Sequence, residues 1–326
     1  MRRAVGKTER PSALEERLST AAPRSSNASL SRRYLDPAVV AKLSRLDLKA
    51  RLVVEGFLSG LHKSPFHGFS VEFVEHRPYM AGDPLRNLDW KVYGKSDRLY
   101  VKQFEDETNL RAHILLDRSA SMGYRSAEAP VSKLEYCRSL AAALAYLLFG
   151  QQDAVGVATF AEGIDGIIPP RATGSHLETI LKEMDRVEPG AKTSLGPILH
   201  ELAERVKRRG LILLFSDLFA DPDAVLSGLK HFRHRRHEVI VYHVLDPAEW
   251  NFPFQEASTF VDSETGEEVA VEPWAVQRRY RESLKKWTER YQKECGEQRI
   301  EYVRLLTTTP YDVALFRYLE KRRRLY

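Results

Sequence analysis

The sequence predicts an α/β fold built on a doubly wound, mostly parallel sheet. From about residue 110 onward, apolar segments of strand length alternate with longer segments of helical periodicity. One apolar run, which starts at Leu211 and ends at Ser216, has the composition of a central strand buried on both faces. We therefore predict parallel strands joined by helices, preceded by a small β-containing module.

The composition is typical of a soluble globular protein with an additional module. The chain has 326 residues, of which 43% are hydrophobic and 29% are charged. It carries 50 Lys plus Arg against 45 Asp plus Glu, a formal net charge of +5. This mixed and only mildly basic balance disfavours nucleic acid as the partner.

Cysteine content and hydropathy together predict a cytoplasmic protein. The two cysteines, Cys137 and Cys295, lie far apart in the sequence, which disfavours a disulfide framework. No apolar run reaches the roughly 18 residues expected of a membrane-spanning helix. The first residues include Arg2 and Arg3 but no apolar segment typical of a secretory signal.

The first hundred residues divide into a tail and a small module. Residues 1–33 are rich in Ser, Ala, Arg and Glu and predict a disordered tail. Residues 34–109 predict a helix followed by a small β module: the segment 36–61 has helical spacing, and apolar residues alternate within 69–73 and 99–103.

Residues 110–326 form the predicted α/β domain, and its elements follow from hydrophobic periodicity and turn residues. A hairpin insertion is predicted near 252–271, with its turn at Ser263–Gly266. The predicted strands are 111–117, 154–160, 164–169, 211–216, 238–245 and 299–305. The predicted helices are 131–150, 175–186, 196–208, 222–235, 272–296 and 310 to the end.

Polar side chains at the ends of two predicted strands make the strongest functional signal. Asp117, Ser119 and Ser121 alternate after the strand 111–117, so all three can point to one side. Thr193 and Asp217 lie at the ends of later segments, and the carboxyl ends of parallel strands meet at one edge of the sheet. Carboxylate and hydroxyl oxygens suit Mg²⁺, with Mn²⁺ or Ca²⁺ as alternatives.

A simpler interpretation of the same five residues needs no metal. In it, the serines cap the following helix and Asp217 makes a loop hydrogen bond. A divalent cation would instead remove the repulsion between Asp117 and Asp217. We predict the cation site.

The spacing of these residues resembles the metal-ion-dependent adhesion site of von Willebrand factor A domains. That resemblance implies a non-enzymatic domain that binds partners through a bridging cation held by Asp117, Ser119, Ser121, Thr193 and Asp217. It also implies a von Willebrand factor A-like fold for residues 110–326.

A second resemblance covers about residues 35–320 and is most specific at 51–121. It rests on the segments Arg51–Gly56, Glu72–Tyr79 and Gly82–Lys91. These resemble the bacterial family called domain of unknown function 58, whose members combine a small β-rich module with a von Willebrand A-like domain. Genes of that family commonly lie beside MoxR-type AAA+ ATPases. The resemblance therefore implies an adaptor or co-chaperone of such an ATPase.

Other motifs are assigned structural roles. An opposite-charge group within the β module predicts an Arg–carboxylate network rather than an active site; its members are Glu72, Glu75, Arg77, Asp83, Arg86 and Asp89. Gly94-Lys95-Ser96 imitates the end of a P-loop, but Asp89 stands where the first glycine is required. The basic segment 231–237 predicts a solvated helix end.

The long helix 272–296 carries aromatic and apolar side chains at helical spacing, which predicts that they face the core; they are Trp274, Tyr280, Leu284, Trp287 and Tyr291.

Three functional hypotheses follow. The first is a non-enzymatic, cation-dependent interaction module. The second is a metal-dependent hydrolase that uses the same oxygen ligands, although no general base or nucleophile is placed beside them by sequence. The third is a weak nucleic-acid binder, which lacks a recognised motif.

Overall fold

The computed structural model describes residues 35–61, 76–78, 94, 100–102, 110–190 and 194–323. Its strands are β1 His76–Pro78, β2 Tyr100–Lys102, β3 Arg111–Asp117, β4 Ala154–Phe160, β5 Ile164–Arg171, β6 Leu211–Ser216, β7 Glu238–Leu245, β8 Ser258–Val261, β9 Glu268–Val271 and β10 Glu301–Leu306. Its helices are α1 Pro37–Val40, α2 Leu46–Leu61, α3 Lys133–Gly150, α4 Gly174–Asp185, α5 Leu195–Arg205, α6 Pro222–His234, α7 Pro247–Asn251, α8 Pro273–Glu297 and α9 Tyr311–Arg323.

A mostly parallel sheet forms the centre of the fold, as the sequence predicts. Among the described residues its strand order is β10-β7-β6-β3-β4-β5. All neighbouring pairs are parallel except β4 and β5, which are antiparallel. The strands β1 and β2 pair separately, and β8 pairs with β9 in the predicted hairpin.

Helices cover both faces of the sheet, and the alternation within β6 shows this directly. Leu213 and Phe215 belong to a core shared with α2, α3 and α9. Ile212 and Leu214 belong to a second core, formed with α5, α6 and α8. Because successive side chains of a strand point to opposite faces, β6 is buried on both sides.

Capping residues fix where the helices near the sheet edge begin. The Ser132 side chain accepts a hydrogen bond from the Glu135 amide and caps α3. Asp221 caps α6, which has Pro222 in its first turn. Side-chain acceptors at these positions satisfy amides that have no partner within the helix.

Three features differ from the sequence predictions. The predicted helical segment 36–61 is two helices, because residues 41–45 are not helical. Trp274 does not face the core: it lies in the first turn of α8 and is 72% exposed. The short helix α7 was not predicted. The predicted tail, the segment 69–73 and Thr193 lie outside the described residues, and the domain boundary near 110 stays a prediction.

Candidate functional site

Two aspartates end neighbouring strands at the same edge of the sheet. Asp117 is the last residue of β3, and Asp217 follows β6 directly. The parallel register pairs Leu116 with Phe215, so the two carboxyl ends lie side by side. Both aspartates are buried. The prediction that the sheet brings these two residues to one edge is therefore confirmed.

The donors that hold Asp117 among the described residues are neutral. Its Oδ2 accepts a 2.6 Å hydrogen bond from the Ser216 hydroxyl, and its Oδ1 accepts a 2.9 Å bond from the Ser119 amide. Within the described part of the chain no cationic side chain forms an ion pair with it. Burial, and then the charge of Asp217, raise the pKa of Asp117 to about 7 despite these hydrogen bonds.

The two serines lie beside these carboxylates. The hydroxyls of Ser119 and Ser121 are 3.1 Å apart, and Ser121 contributes to lowering the pKa of Asp217. The Ser119 side chain makes no capping bond to the 3₁₀ turn Ala120–Gly123 that follows it. Capping therefore does not account for Ser119. Asp217, however, does accept a loop hydrogen bond of 3.2 Å from the Phe219 amide.

Thr193, the fifth predicted ligand, lies outside the described residues. Gly190, three residues before it, contacts the Asp117 loop, because its amide donates to the Arg118 carbonyl. A Cβ on Gly190 would overlap the Arg118 guanidinium, at 2.3 Å from one of its nitrogens. This close approach requires glycine or a displaced arginine side chain.

A buried lysine at this edge was not anticipated from the sequence. Lys133, in the first turn of α3, is 0% exposed. Its Nζ donates to Asp217 Oδ2 at 2.8 Å and to Glu249 Oε1. A positive charge in the first turn of a helix opposes the helix dipole, so this position needs compensation from nearby acids.

The ionisable groups of Lys133, Asp217 and Glu249 shift one another's pKa. Burial alone would lower the pKa of Lys133, but the charges and hydrogen bonds of Asp217 and Glu249 outweigh burial and raise it. Burial would raise the pKa of Asp217, but Lys133 outweighs that effect and lowers it. The pKa of Glu249 is raised by burial, which Lys133 opposes. Lys133 and Asp217 are therefore both charged near neutral pH.

Helix α7 places Glu249 at the site. Asp246 ends the loop after β7 and forms a capping box with Glu249, whose Oε2 accepts from the Asp246 amide at 2.7 Å. Asp246 Oδ2 also accepts from the Ser126 amide at 2.9 Å. These bonds tie the loop before α3 to the end of β7. The capping box Asp246-Pro-Ala-Glu249 is a recognisable sequence signal.

Aromatic side chains surround the lysine. The Nζ of Lys133 lies 4.9 Å from the centre of the Phe219 ring and 5.9 Å from that of Tyr124. Phe219 in turn stacks on Trp287, with ring centres 5.3 Å apart. Phe219 and Tyr124 are each 38% exposed. They form a partly exposed aromatic rim around a buried charged cluster.

His243 lies in the strand beside β6 but does not provide a base at this edge. It is fully buried, and its Nδ1 contacts the Tyr302 hydroxyl. Burial lowers the pKa of His243 to about 3, so the ring is neutral at physiological pH. Glu249, a carboxylate outside the predicted set, is engaged by Lys133.

The donor chemistry fits a single hard cation next to Asp117. In the part of the chain that the structure describes, no cluster of three His, Cys, Asp or Glu side chains is arranged to hold a metal. The predicted site relies on hydroxyls as well. Asp117, Ser119 and Ser121 offer two hydroxyl oxygens and a buried carboxylate that has no cationic partner among the described residues, which suits Mg²⁺ or Mn²⁺. Asp217 is instead engaged by Lys133.

The other predicted groups are only partly described. Of the opposite-charge group in the β module, Arg77 lies in β1 and the other members lie outside the described residues. In the basic segment at the end of α6, His231 contacts His200 at 3.1 Å and Glu204 at 3.0 Å. Arg235 also pairs with Glu204 at 3.0 Å. These contacts favour the structural interpretation of that segment.

Residues 75–294 match the family described as Protein of unknown function DUF58. The chain belongs to this family. Among DUF58 relatives, the uncharacterized protein Rv1480 of Mycobacterium tuberculosis is 29% identical over 244 residues, covering 73% of this chain and 75% of the relative. The uncharacterized protein Mb1516 of Mycobacterium bovis matches to the same extent.

Solved structures resemble this DUF58 protein at low sequence identity. The conserved hypothetical protein BatB from Bacteroides thetaiotaomicron is 16% identical, with a TM-score of 0.46, and the match covers 66% of this chain and 99% of that one. An aerotolerance-related membrane protein from Bacteroides fragilis is 16% identical, with a TM-score of 0.45, covering 65% and 97% of the two chains. Within the described residues of this protein, no helix combines the length and apolar character needed to span a membrane.

Proposed function

We propose that this DUF58 protein is a non-enzymatic interaction module that docks onto a protein partner at the carboxyl edge of its sheet, with a divalent cation held there. The observation that carries the proposal is the buried carboxylate of Asp117. Its hydrogen-bond donors among the described residues are neutral, and it lies beside two hydroxyls. A buried carboxylate in such surroundings is stabilised either by a proton or by a cation.

Mg²⁺ is the cation we propose, with Mn²⁺ or Ca²⁺ as alternatives. Asp117, Ser119 and Ser121 would hold it, and Thr193 remains a predicted further ligand. Mg²⁺ usually keeps several waters, which leaves coordination positions for a partner group. The von Willebrand factor A-like character of the domain is part of the same proposal.

The aromatic rim supports docking at this edge. Tyr124 and Phe219 are partly exposed beside the polar cluster, and aromatic residues next to buried polar groups are common in the central part of protein interfaces. The proposed partner is a MoxR-type AAA+ ATPase, for which this protein would act as an adaptor or co-chaperone. That partner comes from the family resemblance.

A metal-dependent hydrolase is the alternative that uses the same residues. It requires a general base or an activated nucleophile next to the cation. Close to this edge, His243 is buried and neutral, and Glu249 is paired with Lys133. The geometry therefore favours docking over hydrolysis.

Partner binding by site variants tests the proposal. We expect Asp117→Ala to weaken binding of the ATPase about tenfold or more in Mg²⁺ while circular dichroism remains native-like, because one lost charged ligand is worth at least 1.4 kcal/mol. Asp117→Glu should also weaken binding, since the extra methylene displaces the carboxylate from a cation with strict geometry. Glu297→Ala is the control, because Glu297 is an exposed residue at the end of α8, which leads into the start of β10 at the opposite edge of the sheet. Wild-type affinity in both Asp117 variants and in EDTA would place the partner elsewhere.

A further inference from the structure

The charge balance at the carboxyl edge is unusual because one ammonium group serves two carboxylates. Lys133 Nζ contacts both Asp217 and Glu249, while Asp117 contacts no cation among the described residues. The Lys133 and Asp217 side chains are 0% and 2% exposed, and that of Glu249 is 15% exposed. Water therefore screens this cluster weakly, and each charge acts strongly on its neighbours.

We propose that Lys133 is a tethered cation that engages Asp217, restricts the divalent cation to the Asp117–Ser119–Ser121 side, and lowers the affinity of the site for it. The inference rests on the proposed cation-dependent function. It identifies Lys133 as a positioning and affinity-setting residue of that site. A site with both aspartates free would be more negative and would bind a divalent cation more tightly.

The surroundings of Lys133 keep its ammonium in place. The side chain is covered by the rings of Phe219 and Tyr124 and is not accessible to solvent. Its backbone is fixed at the start of α3 by the Ser132 cap. Moving the ammonium into water would leave two buried carboxylates without a partner, which is strongly unfavourable. A bound divalent cation therefore adds to the fixed charge and does not replace it.

The charges of the cluster give opposite predictions for two substitutions. Asp117, Asp217 and Glu249 with Lys133 carry a formal charge of −2 when all are ionised. Lys133→Met makes the cluster more negative and frees Asp217, so it should tighten divalent-cation binding. Glu249→Gln makes the cluster less negative and leaves the Lys133–Asp217 pair intact, so it should weaken binding.

Mn²⁺ titration of the full chain, followed by electron paramagnetic resonance, measures both effects. At an effective dielectric constant of about 20, removing one unit charge about 6 Å from a divalent ion changes its affinity by well over tenfold. We expect Lys133→Met to bind Mn²⁺ about tenfold or more tightly than wild type, and Glu249→Gln several-fold more weakly. Arg322→Met is the matched control and should leave affinity unchanged, because Arg322 pairs with the buried Asp153 just before β4, at the opposite edge of the sheet.

The possible outcomes separate the two proposals. If wild type binds Mn²⁺ and neither variant changes the affinity, Lys133 has no such role, and the proposed cation site stands. If no variant binds Mn²⁺, the tethered-cation proposal and the cation-dependent function are both overturned. If Lys133→Met does not fold, Glu249→Gln decides alone, and unchanged or tighter binding by that variant would overturn the proposal. Recovery of native circular dichroism by Lys133→Met upon adding Mn²⁺ would support it.

Discussion

Buried carboxylates are paired differently at the two edges of the central sheet: the amino edge, where the parallel strands begin, and the carboxyl edge, where they end. At the amino edge, Asp153 is 2% exposed, accepts a 3.2 Å bond from the Leu110 amide, and pairs with Arg322 of the last helix. At the carboxyl edge, Asp217 and Glu249 share Lys133, and Asp117 pairs with none of the described cationic side chains. The amino edge has one cation for its buried acid, whereas the carboxyl edge has an excess of acid.

This difference separates a structural contact from a candidate binding site. A buried acid that has its own guanidinium needs no further ligand, because the ion pair and its hydrogen bonds satisfy it. The Asp153–Arg322 ion pair links α9 to the start of β4, and the hydrogen bond from the Leu110 amide links Asp153 to the start of β3. The excess acid of the carboxyl edge can instead accept a cation, and loops of several elements converge there. Both edges contain buried acids, so burial alone would not distinguish them. The number of cationic side chains paired with those acids does.

Removing Lys133, the cationic side chain of the carboxyl edge, should have the largest effect among the tests of this comparison. We expect Lys133→Ala to lower the free energy of unfolding by about 3–5 kcal/mol, because it leaves Asp217 and Glu249 buried without a counter-ion. Urea denaturation followed by circular dichroism measures this. Lys49→Ala should cost less than about 2 kcal/mol, since its partner Glu135 has a 29% exposed side chain that water can solvate. Equal losses in the two variants would mean that the carboxyl-edge lysine is an ordinary ion pair.

Removing Arg322 at the amino edge should cause a smaller loss of stability. Arg322→Ala should destabilise the protein by about 1–3 kcal/mol, because Asp153 keeps its amide donor and the removed side chain was 22% exposed. This loss should be the same with Mg²⁺ and with EDTA. Thermal unfolding in the two conditions checks it. A Mg²⁺-dependent loss would show that the two edges are coupled and would remove the distinction between them.

Much of the fold was predictable because hydrophobic patterns directly encode burial. The bounds of β3, β4, β6 and β7 agree with the predicted strands, since each is an apolar run bounded by polar or turn residues. The break between α1 and α2 was not predicted, because its apolar residues continue the helical spacing. Trp274 was misassigned because periodicity alone does not reveal that the first turn of α8 extends beyond the core.

The candidate site was only half predictable. Asp117 and Asp217 could be placed together because strand ends in a parallel sheet share an edge. Lys133 contacts Asp217 across 84 residues of sequence and Glu249 across 116, and no local pattern encodes such pairs. Two weak signals were present. A lysine stands in the first turn of α3, and an Asp-Pro-Ala-Glu capping box follows β7.

Burial shifts the pKa of acids and of bases around the sheet in opposite directions. Toward the amino edge, burial lowers the pKa of the bases His113 and His237. At the carboxyl edge, burial raises the pKa of the acids Asp117 and Glu249. His243, near the carboxyl edge, shifts like the other two histidines, and Asp153, at the amino edge, shifts like the other two acids. Acidification therefore penalises the bases, which must gain a charge in a poorly solvated place, and spares the acids whose pKa burial raises.

The smallest predicted effect tests this difference through His113. Burial, with smaller contributions from the charges of His237 and Arg111, lowers its pKa to about 4. The unfolded chain has a histidine pKa of about 6.5, so it binds a proton between these two values while the native state does not; stability is lost as the pH falls through that window. At about pH 5.5 the loss from His113 should be about 1 kcal/mol, and none should appear above about pH 7.5.

We expect His113→Gln to lose correspondingly less stability than wild type between these two pH values in urea denaturation. His234→Gln, which alters an exposed histidine at the end of α6, should keep the wild-type difference. If His113→Gln and wild type lose the same amount, His113 is solvated enough to accept its proton in the native state, and burial does not penalise protonation at this position.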